Sequence, residues 1–124
     1  KRGTSAETLE AAFAAFCTRY GFAAQAVTAA ASIDLKRNEP GLLAFCQAHG
    51  WPVRFYSAAQ LRSAPGQFTP SPFVQSVTGV DNVCERAAVL DAGGSLFYPK
   101  FACSGVTFAL AYRPFAPDWR WQND

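Results

Sequence analysis

The 124 residues contain no C-x-x-C pair, no G-x-G-x-x-G turn, no G-x-x-x-x-G-K-[ST] loop and no G-x-S-x-G elbow. These absences remove the usual sequence routes to zinc, dinucleotide, nucleotide and serine-nucleophile chemistry. His49 is the only histidine, so no metal site is expected. Charge excess is scarce as well: 11 basic against 9 acidic residues leave +2. That is too little for a nucleic-acid surface driven by counterion release. No apolar run approaches the ~20 residues that cross a bilayer, and no basic-then-apolar leader pattern stands out. The expectation is a soluble, cytoplasmic domain with neither nucleic acid nor membrane as a partner.

What is present is apolar: 50% of the residues are hydrophobic and 15% aromatic. A chain of this length buries about two-thirds of its unfolded surface, enough for a core without staples. Cys17, Cys46, Cys84 and Cys103 lie far apart and are expected as reduced thiols, mostly small buried hydrophobes. Residues 1–112 read as a single domain. Residues 113–124, with Trp119 and Trp121, read as a tail that wraps an edge or docks a partner.

Helical and strand patterns alternate. Thr4 to Glu7 reads as a T-x-x-E capping box. Leu9, Ala12, Phe13, Phe16, Cys17 and Tyr20 follow as one apolar stripe, closed by Gly21. Ala29–Ile33 reads as a buried strand delivering the charged cluster 34–39 at its carboxyl end. Pro40 opens a second helix that stops at His49-Gly50. Val53–Tyr56 is a second strand, and Ser57 caps a short helix through Leu61.

Residues 63–72 hold three prolines and a glycine, a surface loop of the kind that carries function. A helical turn from Ser71 and a helix from Asp81 to about Leu90 flank Thr78-Gly79-Val80, read as a break that starts a fresh helix. Gly93-Gly94 turns into Ser95–Tyr98, a loop spans Pro99–Gly105, and Val106–Tyr112 completes an antiparallel hairpin. The order argues for an α/β fold: three-layer α/β/α, with a mixed sheet of about five strands whose last two form the hairpin. Such a sheet normally opens with a strand: either an initial strand lies ahead of Lys1, the favoured expectation, or the first helix packs without its leading strand.

Four segments, in order, resemble one family. They are Lys1-Arg2-Gly3-Thr4-Ser5; Ala31–Lys36 with Glu39-Pro40-Gly41-Leu42; Pro70-Ser71-Pro72 through Thr78-Gly79-Val80 with Val83–Ala88; and Tyr98-Pro99-Lys100 before Val106-Thr107. Each is common alone. Together, from Lys1 to about Ala111, they are similar to the CobE/CbiG C-terminal family of cobalamin biosynthesis. In that family a strand precedes the Arg-Gly-Thr segment. The larger CbiG relatives open the ring lactone of cobalt-precorrin-5A, whereas CobE-type proteins match only their C-terminal part and have no such step assigned. The resemblance therefore implies binding of a tetrapyrrole or corrinoid intermediate, cobalt-containing or metal-free, with no cofactor of the chain's own. Other cobalamin-pathway enzymes are the implied protein partners.

A corrin precursor is a flat apolar ring fringed with carboxylates, so its binder needs an apolar platform, cations and outward N–H groups. On the matching segments the expected ligand-binding residues are Arg2, Gly3, Thr4, Asp34, Lys36, Glu39, Ser71, Thr78, Gly79, Val80, Glu85 and Lys100. Arg2 lies beside a helix start, and Ser71, Thr78 and Gly79 mark two more. Lys36 follows a strand's carboxyl end, where open α/β sheets seat ligands.

Plainer roles compete. Thr4 and Ser71 suit helix caps, and Asp34, Lys36 and Glu39 suit a surface ion group worth about 0–1 kcal/mol. Glu85 suits a pairing with Arg2 or Lys100. His49 suits the last carbonyls of its helix and is an axial cobalt ligand only if it faces the cleft. Phe68, Phe73, Phe97 and Phe101 are each more often core than platform; loop-borne Phe68 and Phe101 are the better stacking candidates.

Three functions follow in order of expectation. The first is binding a corrinoid for a pathway enzyme. The second is an interaction subunit docking through Trp119 and Trp121. The third is a hydrolase acting on a precorrin-5A-type lactone, in which Asp34 or Glu39 activates water and Lys36 or Lys100 stabilises the oxyanion. Beyond those two carboxylates the catalytic residues are not identifiable.

Overall fold

The computed structural model describes residues 3–113; Arg2, Trp119 and Trp121, singled out above, lie outside the described residues. The first helix, α1 (Ala6–Tyr20), is capped by Ser5 rather than Thr4, with Ser5 Oγ accepting the Thr8 N–H at 3.1 Å. Thr4 is displaced from the cap because its carbonyl abuts the next helix, α2 (Pro40–His49): a Cβ on Gly41 would overlap the Thr4 carbonyl oxygen. Only glycine permits that approach. Gly21 ends α1 in the left-handed region at φ 71°.

The apolar stripe of α1 buries Leu9, Ala12, Phe13 and Phe16 against Phe45 and Cys46 of α2, Trp51 and Val106. Phe16 stacks on Phe101 and Phe108 at 5.5 and 5.7 Å. Ring pairs of this kind add about 0.5–1.5 kcal/mol beyond area burial.

Strand β1 (Ala30–Ile33) pairs in parallel with β2 (Val53–Tyr56), Ala30 opposite Val53 and Ile33 opposite Tyr56. A 3-10 turn at Asp34–Lys36 and α2 supply the crossover that parallel strands require. A short helix, α3 (Ala58–Arg62), begins with the capping box Ser57–Gln60. Helix α4 (Pro72–Thr78) follows the proline-rich loop, and α5 (Cys84–Ala92) precedes the hairpin β3 (Ser95–Cys103) and β4 (Val106–Tyr112). A second core of Ile33, Leu61, Val80 and Ala87 joins the carboxyl end of β1 to α3, α5 and the residue pair after α4.

The α/β character and the antiparallel hairpin match expectation, but the single sheet of about five strands does not. The described residues hold four strands in two separate pairs, β1–β2 and β3–β4. Among the described residues no fifth strand ladders the pairs together, and α5 packs across β1, β3 and β4 instead. The two pairs are thus joined through side chains.

The hairpin is also longer than its sequence suggested. β3 continues through Pro99 to Cys103, and the turn shrinks to Ser104-Gly105, both at positive φ. Pro99 is tolerated because the register shifts between Tyr98 and Phe101, and an irregularity of this kind is where a strand accommodates a residue without an N–H.

Candidate functional site

Helix α5 starts from an asparagine cap. Asn82 Oδ1 accepts the Glu85 N–H at 2.8 Å, so Asn82-Val83-Cys84-Glu85 is an N-x-x-E start, a variant of the capping-box spacing. Glu85 itself is 1% exposed. Its Oε1 accepts the Thr69 N–H at 2.7 Å and Asn82 Nδ2 at 2.9 Å, and its Oε2 accepts Thr69 Oγ1 at 3.0 Å and the Lys100 N–H at 2.7 Å. Four donors on two oxygens are what make a buried carboxylate tolerable. The irregularity at Pro99 takes the Lys100 N–H out of the β3–β4 ladder, and Glu85 receives it. Glu85 therefore ties the 63–71 loop, the start of α5 and β3 into one body. Its partner is the backbone of Lys100, not the ammonium.

The other expected contacts divide into two groups. At the junction of α1 and α2 the Gly3 N–H donates to Glu39 Oε1 at 2.9 Å, with Thr4 against Gly41. Around α4 and the start of α5 lie Ser71, Thr78, Gly79, Val80, Glu85 and Lys100. Asp34 and Lys36, in the turn after β1, adjoin this second group through Ile33, which packs with Val80. The surface ion group expected of Asp34, Lys36 and Glu39 does not form. The ion pairs among the described residues are Glu10–His49, Arg54–Asp91 and Asp81–Arg86. The ammonium groups of Lys36 and Lys100 make no ion pair or hydrogen bond among the described residues.

Thr78-Gly79-Val80 does not open a helix. It closes α4: Gly79 sits at φ 82° and its N–H reaches Gln75 O, a left-handed C-cap. The Thr78 hydroxyl donates to Val74 O at 2.7 Å and accepts the Val80 N–H at 3.2 Å. Ser71 Oγ caps α4 by accepting the Val74 N–H at 3.3 Å. A Thr-Gly-Val break has the same composition at either helix end, and only the sign of φ separates the two.

The aromatic expectations reverse. Phe101 is in the core on Phe16, and Phe68 lies under the Arg86 guanidinium at 4.7 Å. Phe73 and Phe97 are 76% and 55% exposed. His49 does not meet its own helix carbonyls. It stacks on Trp51 at 4.3 Å, and its Nε2 is 2.6 Å from Glu10 Oε1, linking α2 to α1.

The four cysteines are free. Burial pushes the Cys46 and Cys84 thiols up to about 11, with Glu85 adding to the effect at Cys84 and Lys100 opposing it. Among the described residues no group of three His, Cys, Asp or Glu could hold a metal, and no helix is long and apolar enough to cross a membrane.

Two cavities stand out. One of about 30 Å³, room for roughly one water, is bounded by Val74, Asn82, Val83, Cys84, Lys100 and Thr107. A wider cleft of about 350 Å³ lies between the loop at Pro65–Phe68, Val89 of α5 and Gly94–Leu96. Sequence reasoning missed Thr69, Asn82, Arg62, Phe73 and Val77 as parts of this region. The N-x-x-E spacing was a usable signal for Asn82. Phe73 and Val77 had none, because a seven-residue helix is too short for periodicity to separate its faces, and Thr69 and Arg62 matter only through partners distant in sequence.

A family model described as "Cobalamin synthesis G C-terminus" matches residues 1–111. The chain is 35% identical over 115 residues to "Cobalt-precorrin-5A hydrolase" of Priestia megaterium, covering 92% of this chain and 30% of that protein. It is 37% identical over 84 residues to "Protein CobE" of Sinorhizobium sp, covering 65% of this chain and 54% of that protein. It therefore spans about half, or less, of the length of these curated relatives. A crystal structure of CobE, described as a protein from the cobalamin (vitamin B12) biosynthetic pathway, superposes with a TM-score of 0.79 at 34% identity, over 88% of this chain and 82% of the other.

Proposed function

The chain belongs to the cobalamin synthesis G C-terminus family, and from that premise we propose that it binds a carboxylate-fringed corrinoid or tetrapyrrole intermediate and presents it to an enzyme of cobalamin biosynthesis. The observation that carries this reading is that the Lys36 and Lys100 ammonium groups are unpaired among the described residues, on segments that adjoin the α4–α5 region. Lys36 follows the carboxyl end of β1, where α/β folds seat ligands. Lys100 is fixed by its own backbone on Glu85, so that its side chain is presented from a rigid base. A ring bearing several carboxylates is matched by such cations through charge-assisted hydrogen bonds.

Lactone hydrolysis ranks below binding. Glu39, one of its two candidate bases, already accepts the Gly3 N–H. The test is a titration with a metal-free corrin polycarboxylate such as hydrogenobyrinic acid, followed by visible absorbance. A saturable spectral shift that weakens with salt is expected. An unchanged spectrum together with an unchanged melting temperature at excess pigment overturns the reading.

A further inference from the structure

We propose that the exposed face of α4 bearing Phe73 and Val77 is the platform on which the macrocycle lies, with Arg62 and Lys100 as flanking cations; this rests on the corrinoid reading above. Phe73 and Val77 are four residues apart and so adjacent on one helix face. They are 76% and 62% exposed, the highest values among the large apolar side chains described. Scattered exposed apolar residues need no explanation, whereas a matched pair on one helix face marks a contact surface. Phe97, the other exposed phenylalanine, spends one ring face on Tyr98 at 4.5 Å and an edge on Tyr112 at 5.2 Å. No described ring covers Phe73.

The helix is held at both ends, as a platform must be. The Ser71 N–H donates to Asp81 O at 2.9 Å, and Arg62 Nη1 donates to Gly79 O at 3.0 Å. That second bond places a guanidinium at the carboxyl end of α4. Lys100 bounds the small cavity together with Val74 of the same helix.

Carboxylates near this face are already engaged: Asp81 pairs with Arg86 at 3.0 Å, and Glu85 is buried under four donors. The resulting surface is apolar with Arg62 and Lys100 beside it, and both Asp81 and Glu85 already have partners. That combination complements a flat apolar ring with an acidic fringe. The cavity of about 30 Å³ holds no organic ligand. The cleft of about 350 Å³ is at the lower end of the roughly 300–1,000 Å³ that encloses drug-sized molecules, too little to enclose a larger macrocycle, which is therefore seated on an open face.

The test compares the whole chain with a double variant, Phe73→Ser with Val77→Ser, and with Lys100→Gln, which keeps the backbone N–H that Glu85 uses. Each is titrated with hydrogenobyrinic acid by absorbance, melted without ligand, and sedimented to measure mass. The double variant is expected to melt with the parent and to bind at least about tenfold more weakly, as uncovering two apolar contacts implies. Lys100→Gln is expected to bind more weakly with a shallower salt dependence. If the parent binds and the double variant binds equally well, the platform is overturned while the corrinoid reading stands. If the parent does not bind, both fall. If the parent sediments as a dimer that the double variant abolishes, with pigment affinity unchanged, a second copy occupies the face and the proposal is overturned.

Discussion

Replacing Glu85 by Gln keeps the volume of a side chain that is 1% exposed but changes what its end can accept. The carboxylate accepts from Thr69 N–H, Thr69 Oγ1, Asn82 Nδ2 and Lys100 N–H. A carboxamide oxygen can keep two of these, and its NH₂ then faces the other two donors. The better orientation puts NH₂ toward Thr69 Oγ1, which can rotate to accept, and toward the Lys100 N–H, which cannot. One buried donor left unsatisfied costs about 1–3 kcal/mol, and the bonds that survive fall from the charged class to the neutral one, losing roughly 0.5–1.5 kcal/mol each. Taken at the low end of these ranges, because the side chains relax around the new amide, the sum is about 3 kcal/mol, a large share of the ~5–15 kcal/mol stability of a domain. At roughly 3–5 °C per kcal/mol for a chain of this size, the melting temperature falls by about 10 °C. Urea denaturation followed by circular dichroism measures the free-energy loss. Hydrogen exchange locates it, with the Thr69 and Lys100 amides exchanging faster than those of α1. A loss under about 0.5 kcal/mol, within the range of ordinary surface substitutions, would refute the assignment of Glu85 as the anchor of the site.

The contact between Gly41 and the Thr4 carbonyl predicts that Gly41→Ala forces α2 away from the lead-in to α1. The expected cost is at least the ~1–3 kcal/mol of ordinary overpacking, read as a lowered urea midpoint with an unchanged slope. The thiols give a pH prediction. Burial raises Cys46 and Cys84 from 9.0 to about 11, so the folded chain holds those protons more tightly than the unfolded one. The stability this contributes is complete below pH 9 and is lost as pH climbs toward 11; urea midpoints at pH 8 and pH 10.5 measure it. At pH 8 an aromatic disulfide reagent is expected to modify Cys46 and Cys84 slowly in the native protein and promptly in urea.

Legibility followed the length of the pattern. The α1 stripe from Leu9 to Tyr20 runs over several turns, and its buried face was readable in full. Ser57, Pro40 and Gly50 announced their helix ends through caps that differ between starts and stops. Thr78-Gly79-Val80 did not, because a short polar break carries no direction. The extension of β3 past Pro99 was hidden for a similar reason. A proline in a strand argues against a strand, and only the local register shift, which depends on β4, makes room for it. At the site, Lys36 and Lys100 were visible as cations next to structural breaks. Glu85 was visible as a residue of interest, but its role depends on Thr69, Asn82 and Lys100 arriving from three separate segments. Average burial statistics put Phe73 inside, where it is 76% exposed, and Phe101 was favoured for stacking because Pro99–Gly105 read as a loop. Tertiary packing, with Phe101 against Phe16, decided otherwise.

The most direct test of the central claim, that one surface of this chain seats a polyacidic macrocycle, is an amide NMR titration with the metal-free corrin polycarboxylate. The account predicts saturable shifts confined to the amides of residues 34–36, 62, 73–80 and 100–101, with the Glu10–His49 side of the α1–α2 junction unmoved. Shifts centred on α1 and α2, or no shifts at excess pigment, would contradict it.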